Sequence, residues 1–132
     1  MLKQQELKHL FQGLAKNDVA QIDFGGSNIT VRIDRPSKFS LSTPVYFGGN
    51  FIPKSVRQCL SQKVTFRREG MLTNFSVDES NFRVYLNYLG SLESINTQKF
   101  NELLEDFSWL AEEWRHYIDG HDKNDLLPIR VL

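Results

Sequence analysis

The sequence has one cysteine, no excess of either charge and no long apolar run, and each absence excludes a class of protein. Cys59 has no second cysteine to pair with, which favours a reducing compartment. Sixteen basic and sixteen acidic residues give a formal net charge of zero, which disfavours a nucleic-acid-binding surface and favours self-association. No apolar run reaches the roughly 18 residues of a membrane-spanning helix, so we expect no membrane insertion. The opening residues, Met1–His9, are too polar for a signal peptide, and we expect a cytoplasmic location.

Hydrophobic spacing predicts one α+β domain over residues 1–132. Apolar residues at three- and four-residue steps predict opening, middle and closing helices, with stripes at Leu7–Leu14, Val56–Leu60 and Phe100–Ile118. Alternating residues predict six strands: Ala20–Phe24, Ile29–Asp34, one within Lys38–Phe47, Val64–Phe66, Phe75–Val77 and Phe82–Tyr88. Because the strands follow one another in hairpin runs, we predict an antiparallel β-sheet with the three helices packed on it. The predicted order is α-β-β-β-α-β-β-β-α.

Turn and capping residues give these elements their predicted ends. Gly25-Gly26 is the predicted turn of the first hairpin, because glycine adopts positive φ without steric cost. Thr97 is the predicted N-cap of the closing helix, and Gly120 its predicted C-terminal cap. The last residues, 121–132, carry several apolar side chains and are expected to form an extended tail or an added edge strand.

No residue pattern indicates catalysis, a cofactor or a metal. His116 and His121 are five positions apart and do not share a helix face; with Asp119 and Asp122 they are interpreted as solvated polar residues. Cys59 lies on the apolar side of the middle helix and is interpreted as a buried structural thiol. We therefore predict no catalytic, cofactor-binding or metal-binding residue, and a binding protein instead of an enzyme.

The closing helix has an acidic side. It carries Glu102, Glu105, Asp106, Glu112 and Glu113. Such a stripe is usually the solvated face of a helix, and contact with a basic partner is the alternative interpretation.

Several stretches resemble the class I type III secretion chaperones, the family that includes the Tir chaperone. Phe75–Asp78 followed by Arg83–Leu86 is similar to that family's strand–turn–strand, in which an acidic residue opens the turn. The closing helix, with its apolar stripe before Glu113-Trp114-Arg115, is similar to the family's last helix. The predicted opening helix and first hairpin are similar to the opening helix and hairpin of that family. The resemblance covers nearly the whole chain and rests on pattern and topology.

The resemblance implies a cytoplasmic homodimer that binds the unfolded N-terminal segment of a secreted effector protein and keeps it competent for secretion. Hydrophobic side chains of that segment would enter surface grooves, and its backbone would pair with a strand edge. The candidate partner-binding residues are Leu7, Phe11, Val45, Phe47, Tyr85 and Leu89, and the candidate dimer contacts are Val56 and Leu60.

Two alternatives stay open at this stage. The stripe on the opening helix (Leu7, Leu10, Phe11 and Leu14) faces either the domain core or a cargo groove, and the core is favoured. The chain is alternatively a stand-alone regulatory protein, an inhibitor or adaptor, that binds a folded partner.

Overall fold

The computed structural model describes residues 4–34, 36–61 and 71–131, with side chains described between residues 5 and 120 of these ranges. These residues form three α-helices and five β-strands: α1 (Gln4–Asn17), β1 (Val19–Phe24), β2 (Ser27–Asp34), β3 (Lys38–Phe47), α2 (Lys54–Cys59), β4 (Thr73–Asp78), β5 (Arg83–Ser91) and α3 (Thr97–Val131). A 3-10 turn, Leu92–Ser94, connects β5 to α3. This order confirms the predicted α+β fold. The predicted strand at Val64–Phe66 lies outside the described residues.

The five strands form one antiparallel sheet in the order β1-β2-β3-β5-β4. Gly25 and Gly26 form the turn between β1 and β2, with φ angles of 58° and 81°. Two positive φ angles in succession define the type I′ turn that suits the twist of a two-residue hairpin. The predicted turn is therefore confirmed.

The core lies between one face of the sheet and the two long helices. α1 packs mainly on β1, α3 packs mainly on β3, and α2 packs on α3. Most of the largest fully buried side chains come from β2, β3, β5 and α3: Ile29, Val31, Leu41, Val84, Leu86, Leu104, Phe107, Leu110 and Ile118. Burial of each such side chain stabilises the fold by about 1.5–3 kcal/mol. The opposite face of the sheet, called the outer face below, has no helix on it among the described residues.

Two predictions about the ends of α3 are wrong. The cap at its start is Asn96, whose Oδ1 accepts a hydrogen bond from the Lys99 N–H at 2.9 Å, whereas Thr97 is already helical. The helix does not end at Gly120 but continues to Val131, so residues 121–131 are neither an extended tail nor an edge strand. A glycine within a helix costs only about 1 kcal/mol relative to alanine, which is too little to end it.

The residues that carried the family resemblance in α3 have structural contacts. The Trp114 ring packs edge-on against Phe75 of β4, with ring centroids 4.6 Å apart. Arg115 is half-buried and donates hydrogen bonds to the Ser27 hydroxyl and, at 3.4 Å, to the Pro44 carbonyl oxygen. Burial lowers the pKa of the Arg115 guanidinium from its usual value, yet arginine stays charged at neutral pH. These contacts fix the second half of α3 on the sheet.

Candidate partner-binding surfaces

An apolar pocket of about 400 Å³ lies between α1, the β2–β3 hairpin and the start of α3. Its main apolar lining residues are Phe11, Ile33, Phe39, Leu92, Ile95 and Phe100. Pockets of a few hundred Å³ with hydrophobic walls are the usual sites for apolar groups of ligands. This pocket is therefore suited to large apolar side chains, and it is called the α1–α3 pocket below.

Phe11 lies at the rim of the α1–α3 pocket because of its position on α1. Leu7, Leu10 and Leu14 follow one another at three- and four-residue steps and are buried, so they fix the face of α1 that meets the sheet. Phe11 is displaced to the side of that face and is 41% exposed. Its ring centroid lies 5.8 Å from that of Phe100, which holds it beside the start of α3.

Two predicted partner-binding residues are in the core. Leu7 is 7% exposed and Val45 is 3% exposed, so neither is accessible to a partner in this fold. For Leu7 the favoured alternative, the domain core, is correct. Val45 lies at a β-bulge, where the pairing between β3 and β5 shifts between Pro44 and Tyr46. Val45 follows Phe39, Leu41 and Thr43 at alternate positions of β3, so its side chain lies on the same helix-covered face of the sheet.

Three other predicted partner-binding residues lie together on the outer face. Phe47 is 59% exposed, Leu89 is 58% exposed and Tyr85 is half-buried. The bulge at Val45 explains the position of Phe47, which pairs with Arg83 and so shares a face with Tyr85. The Arg83 guanidinium carbon lies 5.1 Å from the centre of the Phe47 ring, a cation–π contact.

Polar side chains separate these apolar residues on the outer face. The Ser42 hydroxyl donates to the Asn87 Oδ1 at 2.8 Å. The Asn87 Nδ2 in turn donates to Asn74 Oδ1 at 3.2 Å and to Ser76 Oγ at 3.0 Å. The outer face is therefore a polar surface that carries isolated apolar side chains, and it is not a continuous apolar groove.

The predicted dimer contacts on α2 face the interior of the domain. Val56 is fully buried and Leu60 is half-buried, because α2 packs this side on α3. Val56 is therefore a core residue, and its assignment to a dimer interface is wrong. The exposed apolar residue nearest in sequence is Phe51, 62% exposed in the loop before α2.

Metal-binding side chains do not cluster in the described part of the chain. No group of three or more His, Cys, Asp or Glu residues there has the arrangement of a metal site. Cys59 is buried, its Sγ donates to the Val56 carbonyl oxygen at 3.1 Å, and burial raises the pKa of its thiol to about 11. Among the same residues, no helix is both long enough and apolar enough to cross a membrane.

Several residues of the α1–α3 pocket were not predicted to take part in a site. Leu92 and Ile95 lie between the last predicted strand and the closing helix, where apolar residues three positions apart are the one sequence signal of a packed turn. Phe39 belongs to a predicted strand and Phe100 to the predicted stripe of the closing helix, and sequence periodicity does not show that one side of each ring borders a pocket.

No protein-family model matches the sequence, and no curated protein matches it significantly.

Proposed function

We propose that this chain is a cytoplasmic binding protein of the secretion-chaperone kind, which holds a non-globular segment of an effector protein and keeps it competent for secretion. The α1–α3 pocket is the observation that carries this proposal. Its apolar walls are open to solvent, and Phe11 presents 41% of its surface at the rim. An extended segment inserts single side chains into such a pocket more readily than a folded surface does.

The segment's large apolar side chains are the chemistry that the pocket recognises. The rings of Phe11, Phe39 and Phe100 form a connected aromatic wall, with neighbouring ring centroids 5.8 and 6.4 Å apart. A leucine or aromatic side chain that enters would bury its own surface and the exposed part of Phe11 together. Binding of this kind needs no catalytic group, which agrees with the sequence-based prediction of a non-enzymatic protein.

The test uses the full chain and a labelled peptide as the probe. The peptide has 20 residues, no stable structure, and Leu or Phe at alternate positions between Ser and Gln. We expect Phe11→Asp to weaken binding at least tenfold in fluorescence anisotropy, because it places a charge at the apolar rim. Leu72→Asp is the matched control, since Leu72 is 85% exposed and does not line the pocket. Equal loss with both variants would contradict the pocket as the binding site.

A folded partner is the second candidate, and the outer face favours it. Phe47 and Leu89 are strongly exposed on the sheet face that no described helix covers, a surface that suits the folded target of an inhibitor or adaptor. Under this alternative Phe47→Asp, and not Phe11→Asp, would abolish capture of the partner. Limited proteolysis of a complex isolated from native cells distinguishes the two, because an extended cargo segment would be protected only while bound.

The proposal includes a homodimer, which the α2 core face cannot form. Phe51 and Phe47 are the strongly exposed aromatic residues among those described, so a dimer would use the end of the sheet where they lie. Light scattering at high concentration should give the mass of two chains, and Phe51→Asp should reduce it. A strict monomer would contradict the dimer without affecting the pocket.

A further inference from the structure

β1 has an unpaired backbone edge in the part of the chain that the structure describes. The sheet order places β1 at one end, with β2 as its strand neighbour. Phe24 and Ser27 close the two-residue turn and therefore form a hydrogen-bonded pair. Because such pairs alternate along an antiparallel ladder, the backbone N–H and C=O groups of Gln21 and Asp23 point away from β2. They are available to an added strand.

A concave surface runs along this edge. One cavity of about 370 Å³ is lined by α1 and by three consecutive β1 residues, Gln21, Ile22 and Asp23. Successive side chains of a strand point to opposite faces of the sheet. Three consecutive residues can therefore line the same cavity only if the backbone edge of the strand forms part of the cavity wall. A second cavity, of about 540 Å³, shares Glu6 and Asp23 with the first and continues to α3. The two together are called the β1 groove.

The β1 groove is acidic although the chain as a whole is neutral. Its described lining contains the carboxylates Glu6, Asp23, Glu105 and Glu112, with His9 and no lysine or arginine. Trp109 of α3 lies in the same wall. The acidic side of the closing helix therefore borders, through Glu105 and Glu112, a cavity that reaches a free sheet edge.

We propose that the β1 groove binds a basic, extended polypeptide segment, which pairs with the edge of β1 and places arginine or lysine side chains against Glu105, Glu112 and Trp109. This inference rests on the proposed function and adds the charge of the partner to it. The edge supplies backbone hydrogen bonds that any extended chain can accept, so the edge gives affinity without selectivity. The carboxylates select for positive charge, and a guanidinium also stacks on an indole ring.

The spacing of a strand sets the pattern that the segment needs. Alternate residues of a paired segment point to the same side and lie about 6.8 Å apart, from a rise of about 3.4 Å per residue. Arginines at alternate positions would therefore follow one wall of the groove. If the arginines were consecutive, half of their side chains would point away from that wall.

The test compares three ten-residue peptides that carry Arg, Gln or Glu at the same alternate positions. With the full chain at low salt, we expect the Arg peptide to bind about tenfold more tightly than the Gln peptide, and the Glu peptide to bind more weakly than either. The ratio should shrink at 0.5 M salt, because surface charges are screened there. N-methylation of alternate backbone amides in the Arg peptide should abolish binding if the segment pairs with β1.

Paired substitutions on α3 locate the effect. Glu105→Lys with Glu112→Lys should reverse the preference between the Arg and Glu peptides. Glu102→Lys with Glu113→Lys is the control, because it makes the same change of charge on the same helix outside the groove. Equal effects of the two pairs would overturn the inference.

The outcomes also separate this inference from the proposed function. If the apolar 20-residue probe binds in a Phe11-dependent way but the Arg and Glu peptides bind equally, the charged groove is wrong and the α1–α3 pocket stands. If none of the peptides binds, both are wrong.

Discussion

Gly90 gives the sharpest test of how the fold shapes the α1–α3 pocket. Gly90 of β5 pairs with Phe39 of β3 across the sheet. A Cβ atom added at Gly90 would lie 2.6 Å from two atoms of the Phe39 ring and 3.0 Å from the Tyr88 ring. Real Cβ atoms do not approach other atoms so closely, so Gly90→Ala forces the Phe39 ring to move.

The cost of that movement follows from what surrounds Phe39. Its ring is 2% exposed and packs against Tyr88 and Phe100, with centroids 6.1 and 6.4 Å away. The pocket is the open space beside it. Overpacking destabilises a fold by about 1–3 kcal/mol, whereas replacing glycine with alanine inside a strand stabilises it by about 0.5–1 kcal/mol. We therefore expect Gly90→Ala to lower the free energy of unfolding by about 1–2 kcal/mol and Tm by about 5 °C.

A double-mutant cycle in urea denaturation checks this reasoning. Phe39→Leu shortens the side chain that Gly90→Ala would strike, so Gly90→Ala should cost almost nothing in that background. Gly49→Ala is the control, since an added Cβ meets no atom within 4 Å there. The displaced ring should also weaken binding of the apolar 20-residue probe. Additive effects of the Gly90 and Phe39 substitutions would refute the proposed contact.

Three further predictions concern buried residues. Asn101→Leu should raise the free energy of unfolding by about 1 kcal/mol in urea denaturation. The buried Asn101 Oδ1 has no hydrogen-bond partner among the described residues, and this cost outweighs the one bond that its Nδ2 donates to the Thr97 carbonyl oxygen at 3.2 Å. A loss of stability would contradict this reasoning. Burial raises the pKa of Cys59 to about 11, so the unfolded thiol ionises first and the stability that Cys59 contributes falls between about pH 9 and 11. The difference in free energy of unfolding between wild type and Cys59→Ala should therefore change over that pH range. A difference that stays constant would contradict the raised pKa of Cys59. Val56→Ala should cost about 2 kcal/mol and leave the light-scattering mass unchanged, since Val56 is fully buried within its own domain.

Periodicity predicted the elements well because it reflects which side of each element is covered. The stripe Phe100, Leu104, Phe107 of α3 is buried as predicted, and β3 fills Lys38–Phe47, the range within which a strand was predicted. The ends of α3 were harder to predict, because neighbouring residues compete for each role. Asn96 and Thr97 are both good N-caps, and the carboxamide of Asn96 is the one that reaches a free backbone N–H.

The candidate sites were harder to predict, because they depend on contacts between residues that are far apart in the sequence. Alternation correctly placed Tyr85 and Leu89 on one side of β5, but the exposure of Phe47 depends on a bulge two residues earlier. The α1–α3 pocket joins residues as distant as Phe11, Phe39 and Ile95. The Val56 prediction failed because an apolar stripe on a short helix looks the same whether it meets its own domain or a partner.

α1 separates the two candidate sites, and this placement constrains what a common partner would look like. Phe11 borders the apolar pocket on one side of the helix, whereas Glu6 and His9 border the acidic groove on the other. Net charge sums over the whole surface, so a neutral chain can still segregate an acidic and an apolar site on opposite sides of one helix. A helix with its side chains is about 10–12 Å wide, and an extended chain advances about 3.3 Å per residue. A segment that fills both sites must therefore pass around α1, and it needs about four or more residues between its apolar anchor and its first arginine or lysine. A partner in which apolar and basic residues simply alternate would satisfy one site at a time.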